Sequence, residues 1–129
     1  MKAHTVTIDD VKVRLSQDAT GHFFPTEVQI KGCSPLKVEF VPGDASKDER
    51  PALRVVGYER FNIPAWTCSY VESHKRWVVV NLTRTTLSER VLLRPIAVWD
   101  YASKRSAMRR VAKLVLKHLQ DFAGLGSRR

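Results

Sequence analysis

A stretch without glycine or proline, residues 101–123, constrains the fold of this chain more than any other feature. Asp100 before it suits a helix N-cap, and Gly124 after it occupies the position expected of a left-handed C-terminal cap. Apolar residues recur at helical intervals and make one stripe at about 100° per residue. They are Tyr101, Met108, Val111, Ala112, Val115, Leu119 and Phe122. The pattern predicts one amphipathic helix over residues 101–123, with this stripe packed on the rest of the domain.

The sequence before the helix consists of short runs in which apolar and polar residues alternate, which is typical of half-buried strands. Turn-forming residues separate the first runs at residues 9–10, 17–21 and 32–35. The clearest hairpin joins residues 66–71 to 76–85, and a further extended run, 91–99, is bent by Pro95. We therefore predict one α+β domain, residues 1–129, in which an antiparallel sheet of about six or seven strands packs against the C-terminal helix.

One segment of the strand-rich part is almost devoid of apolar side chains. Residues 42–51 are dominated by Gly, Asp, Ser, Lys, Glu and Arg, which predicts a solvated, mobile loop. After it, residues 53–56 and 58–61 predict one strand interrupted at Gly57 and ended by Asn62-Ile63-Pro64.

The positive charge of the chain lies almost wholly in its second part. The formal net charge is +9; residues 1–74 carry 9 Lys or Arg against 10 Asp or Glu, whereas residues 75–129 carry 13 against 3. A one-sided positive field attracts anionic partners such as nucleic acid, an acidic protein surface or anionic lipid headgroups. The charge does not choose among them, and charge that only keeps the protein soluble is the alternative interpretation.

Neither a membrane segment nor a zinc site is predicted. No apolar run approaches the ~20 residues that span a bilayer, and residues 1–15 alternate where a secretory signal would be continuously apolar. Cys33 and Cys68 form no Cys-x-x-Cys pair and have no clustered histidines, so we expect no metal ligands. We expect two reduced, buried thiols, and one disulfide between them is the alternative. The simplest expectation is a cytoplasmic protein with no membrane partner.

Basic side chains occupy the helix from the flank of the stripe to its far side. Four of them follow strict four-residue spacing, with Arg110 beyond them: Arg105, Arg109, Lys113 and Lys117. Successive positions are separated by roughly 6 Å, which is comparable to the step between phosphates along a nucleic-acid strand. Asp121 is the one acid after Asp100, so the pattern is not that of a salt-bridged surface helix. The alternative is a merely solvated face.

The second candidate surface is the strand 75–85. Alternation places Trp77, Val79, Asn81, Thr83 and Thr85 on one face, and Arg76, Val78, Val80, Leu82 and Arg84 on the other. We expect the face with Asn81 and Thr83 to be exposed, so that Trp77 stacks on unpaired bases, a contact worth about 1–3 kcal/mol per base. Outlying phosphate contacts would come from Lys75, Arg76, Arg84 and Arg128-Arg129 in the basic tail 126–129. A core role for Trp77 is the alternative.

Recognisable catalytic motifs are missing. The sequence has no Gly-rich phosphate loop, Gly-x-Ser-x-Gly or His-Glu-x-x-His, so we expect a non-catalytic protein without a cofactor. Asp18 followed by Gln29-Ile30-Lys31 resembles the metal-dependent nuclease pattern, which is the competing interpretation. Several strands followed by one terminal helix also resemble the layout of small single-strand-binding domains such as the Whirly proteins, and this layout implies architecture without supplying site residues.

The leading hypothesis is a domain that binds DNA or RNA mainly through phosphates, with the basic helix face as its footprint. The alternative is a protein-interaction module that docks an acidic partner, or pairs with a second copy as a homodimer, through an uncovered strand edge. Pro95 predicts that its own strand lies at such an edge, because proline cannot donate to a central ladder.

Overall fold

The computed structural model describes residues 3–47, 49–58, 62–83 and 97–123, which form nine strands in antiparallel pairs and one long helix. The strands are β1 (Ala3–Ile8), β2 (Val11–Gln17), β3 (Phe23–Ile30), β4 (Leu36–Val41), β5 (Ala52–Val55), β6 (Asn62–Ile63), β7 (Trp66–Val71), β8 (Arg76–Asn81) and β9 (Ala97–Tyr101). The helix α1 spans Lys104–Ala123. The predicted α+β class, an antiparallel sheet packed against one C-terminal helix, is confirmed, with more strands than expected.

β3 lies at the centre of the sheet and has three neighbours. β2 pairs with it along one side. On the other side, β4 pairs at Glu27 and Val28 and β7 pairs at Phe23. The sheet continues from β4 to β5 and β6, and from β7 to β8 and β9. Among the described strands β1 pairs with β2 alone, so the other side of β1 is an edge of the sheet.

The β1–β2 hairpin turns at the two aspartates, as the change in apolar parity predicts. Ile8 pairs with Val11 across Asp9 and Asp10. Asp9 has a φ of 53°, a left-handed conformation that aspartate tolerates better than most residues. This register places the apolar residues of both strands on one face, where Val13 is fully buried.

The helix begins at Lys104, three residues later than the sequence predicts. Asp100 and Tyr101 belong to β9 and pair with Val78 and Trp77 of β8, so their backbone is extended. The N-cap is Ser103 instead, whose Oγ accepts a hydrogen bond from the Ser106 N–H at 3.2 Å. Asp100 as N-cap and Tyr101 as a helical stripe residue are therefore wrong, because the ladder with β8 holds both residues in the sheet.

The remaining stripe packs on the sheet as predicted. The buried helical side chains are Ala107, Met108, Val111, Ala112, Val115, Leu116 and Leu119. α1 contacts β1, β3, β6, β7, β8 and β9, and Val13, Phe23, Cys68 and Val79 belong to the same core cluster. The side chain of Phe122 and the predicted cap Gly124 lie outside the described residues.

The polar segment 42–51 contains more structure than a solvated loop requires. It forms a short 3₁₀ turn, Ala45–Lys47, in which Asp44 Oδ1 accepts hydrogen bonds from Ser46 N at 2.9 Å and Ser46 Oγ at 2.6 Å. At its end, Thr83 Oγ1 donates to the Pro51 carbonyl at 2.6 Å, and Pro51 is buried. Asp48 lies outside the described residues, and the mobility of the segment stays a prediction.

Two further expectations need correction. Asn62 and Ile63 do not end a strand: they form β6, which pairs with Leu53 and Arg54 because Ile63 is buried in the core. Both cysteines are free as expected, but Cys33 is exposed in the turn after β3, so the prediction of two buried thiols is wrong. Burial raises the pKa of the Cys68 thiol to about 12. Pro95 lies outside the described residues.

Candidate nucleic-acid interface

Four exposed cations form a line along the outward side of α1. We call them the basic ridge: Arg105, Arg109, Lys113 and Lys117. They occupy one side of the helix because the apolar stripe holds the opposite side against the sheet. Within the described ranges the one ion pair joins Arg76 to Asp100, so no described carboxylate neutralises the ridge.

A groove lies on each side of the ridge, and Arg109 borders both. The β9-side groove has a volume of about 200 Å³ and is lined by Tyr101, Ser106, Arg109, Arg110 and Lys113. The β1-side groove has a volume of about 350 Å³ and is lined by Thr5, Val6, Thr7, Arg105 and Arg109. The β9-side groove thus combines guanidinium and ammonium groups with two hydroxyls, a donor set suited to phosphate oxygens.

Arg110 is held in place at the edge of the β9-side groove. Its Nε donates a hydrogen bond to the Tyr101 hydroxyl at 2.8 Å, and its guanidinium carbon lies 4.8 Å from the centre of the Trp99 ring. Stacking on an indole and one hydrogen bond fix the guanidinium plane, and its remaining N–H groups stay available to an anion. Less side-chain entropy is therefore lost when an anion binds here than at a freely rotating lysine.

An aromatic residue from each of three neighbouring strands lies in register beside the start of α1. We call Tyr70, Trp77 and Tyr101 the aromatic row; Tyr70 pairs with Trp77, and Trp77 pairs with Tyr101. The Tyr70 and Trp77 ring centroids are 5.5 Å apart, and Tyr70 is 43% exposed. Lys104 Nζ lies 5.9 Å from the centre of the Trp77 ring. The row places ring surface and positive charge side by side.

The face of β8 that carries Trp77 is not the open surface expected. Val79 and Asn81 on this face are buried, because α1 packs against β8. Trp77 itself is only half-buried, because it lies beside the start of α1, where the helix covers less of the sheet. Its ring also packs near Phe23, with ring centroids 6.1 Å apart. The predicted exposure of Asn81 is therefore wrong, and Trp77 lies at the border between core and surface.

The two outlying cations that the structure describes, Lys75 and Arg76, lie away from the ridge. Arg76 projects from the opposite face of β8, where its Nη2 lies 3.0 Å from Asp100 Oδ1. Lys75 is exposed in the β7–β8 turn with a φ of 52°. Arg84 and Arg128-Arg129 lie outside the described residues. Alternation along β8 predicts this placement of Arg76 and Trp77 on opposite faces, and the role of Arg76 as an outlying phosphate contact stays a prediction.

Sequence reasoning missed Tyr70, Tyr101 and Lys104. Tyr70 had a usable signal, because the hairpin closed by residues 72–75 pairs position 70 with position 77. Helical periodicity predicts that Tyr101 belongs to the helix, and this prediction conceals its pairing with Trp77. Nothing local in the sequence brings Lys104 over Trp77, since that contact depends on how the helix crosses the sheet.

The residues that resemble a metal-dependent nuclease are not brought together. Asp18 lies in the turn before β3, whereas Gln29 and Lys31 lie at the far end of that strand. Burial acts to raise the pKa of the Asp18 carboxyl, but hydrogen bonds from Thr20 and His22 outweigh it and lower that pKa. Among the described side chains, no group of three or more His, Cys, Asp or Glu is placed to hold a metal ion.

Comparison with known proteins adds no assignment. No protein-family model matches the chain, and no curated protein or solved structure is significantly similar to it. In the ranges that the structure describes, helices with the length and apolar character needed to cross a bilayer are absent.

Proposed function

We propose that this domain binds single-stranded nucleic acid, without catalysis, along the basic ridge and the β9-side groove. The observation that carries the proposal is the position of Tyr101, which belongs to the aromatic row and also lines the β9-side groove. A surface that tracks phosphates and a surface that stacks bases therefore meet at one residue. Proteins that bind single strands combine these two elements.

The phosphate part of the proposal rests on spacing and on unneutralised charge. Successive ridge cations are separated by roughly 6 Å along the helix, which matches the spacing of phosphates in an extended single strand. Arg110, fixed by Tyr101 and Trp99, adds an oriented guanidinium beside the ridge. Phosphate contacts carry no sequence information, so we expect binding with little sequence preference.

The base part of the proposal rests on the aromatic row. Tyr70 exposes ring surface, and its contact with Trp77 holds the ring in a defined orientation. A base stacked on such a ring contributes about 1–3 kcal/mol, and paired bases inside a duplex are unable to do so. The row therefore favours single strands over duplexes.

The phosphate part is tested by replacing all four ridge cations with Gln, which keeps helix propensity nearly unchanged. Binding of labelled single-stranded oligonucleotides is measured by fluorescence anisotropy over a range of salt concentrations. With about four phosphates contacted, the parent should show a log–log salt slope of about −3 on single strands, and the variant should lose most of it. In a matched control, Gln replaces four exposed cations that lie outside the ridge: Lys12, Arg14, Lys31 and Lys37. This control should bind single strands much like the parent.

The base part is tested by Tyr70→Ala, because Tyr70 is exposed enough to be replaced without opening the core. We expect affinity for single strands to fall by about 1–3 kcal/mol, and affinity for duplexes to be unchanged. If the ridge variant folds and binds single strands as tightly as the parent, the ridge is only a solvated surface and the proposal fails. If Tyr70→Ala lowers the affinity for single strands and duplexes equally, Tyr70 does not stack on bases. The base part of the proposal then fails, and the phosphate part is unaffected.

A further inference from the structure

The outer edge of β1 presents backbone groups that point away from its partner strand. The Asp10 carbonyl accepts a hydrogen bond from the Lys31 N–H at 3.2 Å, so Asp10 directs its backbone groups toward the β3 side. Successive residues of an antiparallel strand direct their backbone groups to opposite sides. At this end of β2, the even-numbered residues therefore hydrogen-bond to β3 and the odd-numbered residues to β1. On β1 the partners of those odd residues are His4, Val6 and Ile8. The N–H and C=O groups of Thr5 and Thr7 therefore face outward into the β1-side groove.

A contact from the helix agrees with this assignment. Arg109 Nη1 donates to the Thr7 carbonyl at 3.4 Å, which requires that the carbonyl points outward. Thr5, Val6 and Thr7 line the β1-side groove together with Arg105 and Arg109. One wall of this groove is thus a strand edge that no described strand covers, and the other wall carries two guanidinium groups.

The β1 strand itself lacks the residues and irregularities that often block pairing with another chain. Proteins protect exposed edges with Pro, Lys, inward charges or bulges. β1 contains neither Pro nor Lys, and its pairing with β2 runs in continuous register from Ala3 to Ile8. The outward backbone groups of β1 therefore keep strand geometry along its length, and an added strand would replace the contact of Arg109 with the Thr7 carbonyl.

The helix and the strand run side by side at this groove. Lys104 Nζ lies 3.4 Å from His4 Nε2, and Arg109 reaches Thr7, so both elements advance in the same direction. Alternate side chains of a strand added to β1 would be separated by about 6.6 Å. The spacing of Arg105 and Arg109 along α1, roughly 6 Å, matches that repeat.

We propose that the β1-side groove binds an extended acidic segment of another protein, which adds as a strand to β1 and directs alternate carboxylates to Arg105 and Arg109. Alternating N–H and C=O groups match a peptide backbone, whereas a phosphodiester backbone has no donors for the outward carbonyls. A second copy of this chain fits less well, because β1–β1 pairing across a twofold axis would bring Arg105 and Arg109 of both copies together. This proposal does not rest on nucleic-acid binding.

The test uses the whole chain and a labelled seven-residue peptide in which Glu alternates with Val. We expect this peptide to bind at least about tenfold more tightly than the same peptide with Lys in place of Glu. Two further peptides carry N-methyl groups on alternate amides, in one or the other register. Only the register that removes the amides facing β1 should lose binding, again by about tenfold or more. Equal binding by all four peptides would overturn the proposal.

A matched pair of variants tests the edge itself. Thr5→Pro removes one outward N–H and places a ring in the path of an added strand, whereas Thr5→Ala keeps the N–H. We expect Thr5→Pro to weaken the Glu peptide by at least about tenfold and to change oligonucleotide affinity by less than about twofold. A similar loss for both ligands would overturn the proposal, because the variant would then act on the fold. If Thr5→Pro does not fold, the N-methylated peptides still test strand addition to β1 on the parent protein.

Two readouts separate this inference from its competitors. Lys113→Gln combined with Lys117→Gln should weaken oligonucleotide binding and leave peptide binding unchanged, since neither residue lines the β1-side groove. Sedimentation of the parent and Thr5→Pro shows whether the edge is already occupied by a second copy. If the parent is a dimer and Thr5→Pro is a monomer, the β1 edge pairs with a second copy of the chain and not with an acidic peptide. That result would overturn the proposal.

Discussion

The two sides of α1 differ in what they do for the fold. The inner side carries side chains such as Val111, Val115 and Leu119, which are nearly or fully removed from solvent. The outer side carries cations whose helical neighbours have the same sign, and like charges four residues apart destabilise a helix by about 0.2–0.5 kcal/mol per pair. The inner side is therefore explained by stability, whereas the outer side opposes it. Cations that lower the stability of the helix are better explained by binding an anionic partner than by folding.

The largest expected effect is on the inner side, at Leu119. Leu119→Ala should lower the free energy of unfolding by about 2–5 kcal/mol, because it removes a buried side chain and leaves a cavity. Thermal unfolding followed by circular dichroism measures the loss, with the exposed Lys117→Ala as a control expected to stay within about 0.5 kcal/mol of the parent. Equal melting temperatures for the two variants would contradict the distinction between the sides.

A smaller effect is expected at the helix start, where both sides depend on one cap. Ser103→Ala should cost about 1 kcal/mol, since the Ser106 N–H loses its acceptor. Asp100→Ala removes only an exposed ion pair with Arg76, and should cost less than about 1 kcal/mol. Chemical denaturation of both variants ranks them. A larger loss for Asp100→Ala would place the helix start where the sequence alone predicts it.

The smallest effect, of opposite sign, is expected on the outer side at Lys113. This residue has Arg109 and Lys117 four positions away, so Lys113→Gln removes two like-charge pairs. We expect stability to rise by about 0.4–1 kcal/mol at low salt and the gain to shrink at high salt, where exposed charges are screened. Denaturation at two salt concentrations measures this difference. A loss of stability at low salt would mean that Lys113 has a favourable partner and that the two sides are less different than proposed.

Local periodicity accounts for the parts of the fold that the sequence predicts correctly. The helical stripe from Met108 to Leu119 and the turn at Asp9 and Asp10 follow from spacing within a few residues, and both are present. The exposed positions of Arg105 and Lys113 follow from the same periodicity. These features need no knowledge of what packs against them.

The errors arise where a distant partner decides the local structure. The spacing of apolar residues predicts that Tyr101 is helical, but its pairing with Trp77 places it in β9. Asn81 looks suited to solvent, yet α1 covers its face of β8. Ile63 follows Asn62 and precedes Pro64, a context typical of a strand end, and is nevertheless held in β6 by β5. The aromatic row was missed for the same reason, since register between strands is not encoded in the spacing of any one of them.

The division of one side of β3 between β4 and β7 has a consequence for cooperativity. The backbone pairing of β3 with β7 consists of Phe23 and Cys68, supported by a hydrogen bond of 2.9 Å from the Thr67 hydroxyl to the Phe23 carbonyl. Two groups of paired strands, β1–β6 and β7–β9, thus meet at a narrow seam, with a further link in the hydrogen bond from Thr83 Oγ1 to the Pro51 carbonyl. The helix α1 spans this seam through contacts to β1, β3, β7 and β8. Partial opening at this seam leaves the hydrogen bonds inside both ladders intact. Slow amide exchange inside β7–β9 therefore reports the strength of that ladder, whereas exchange of amides at the seam reports the docking of the helix.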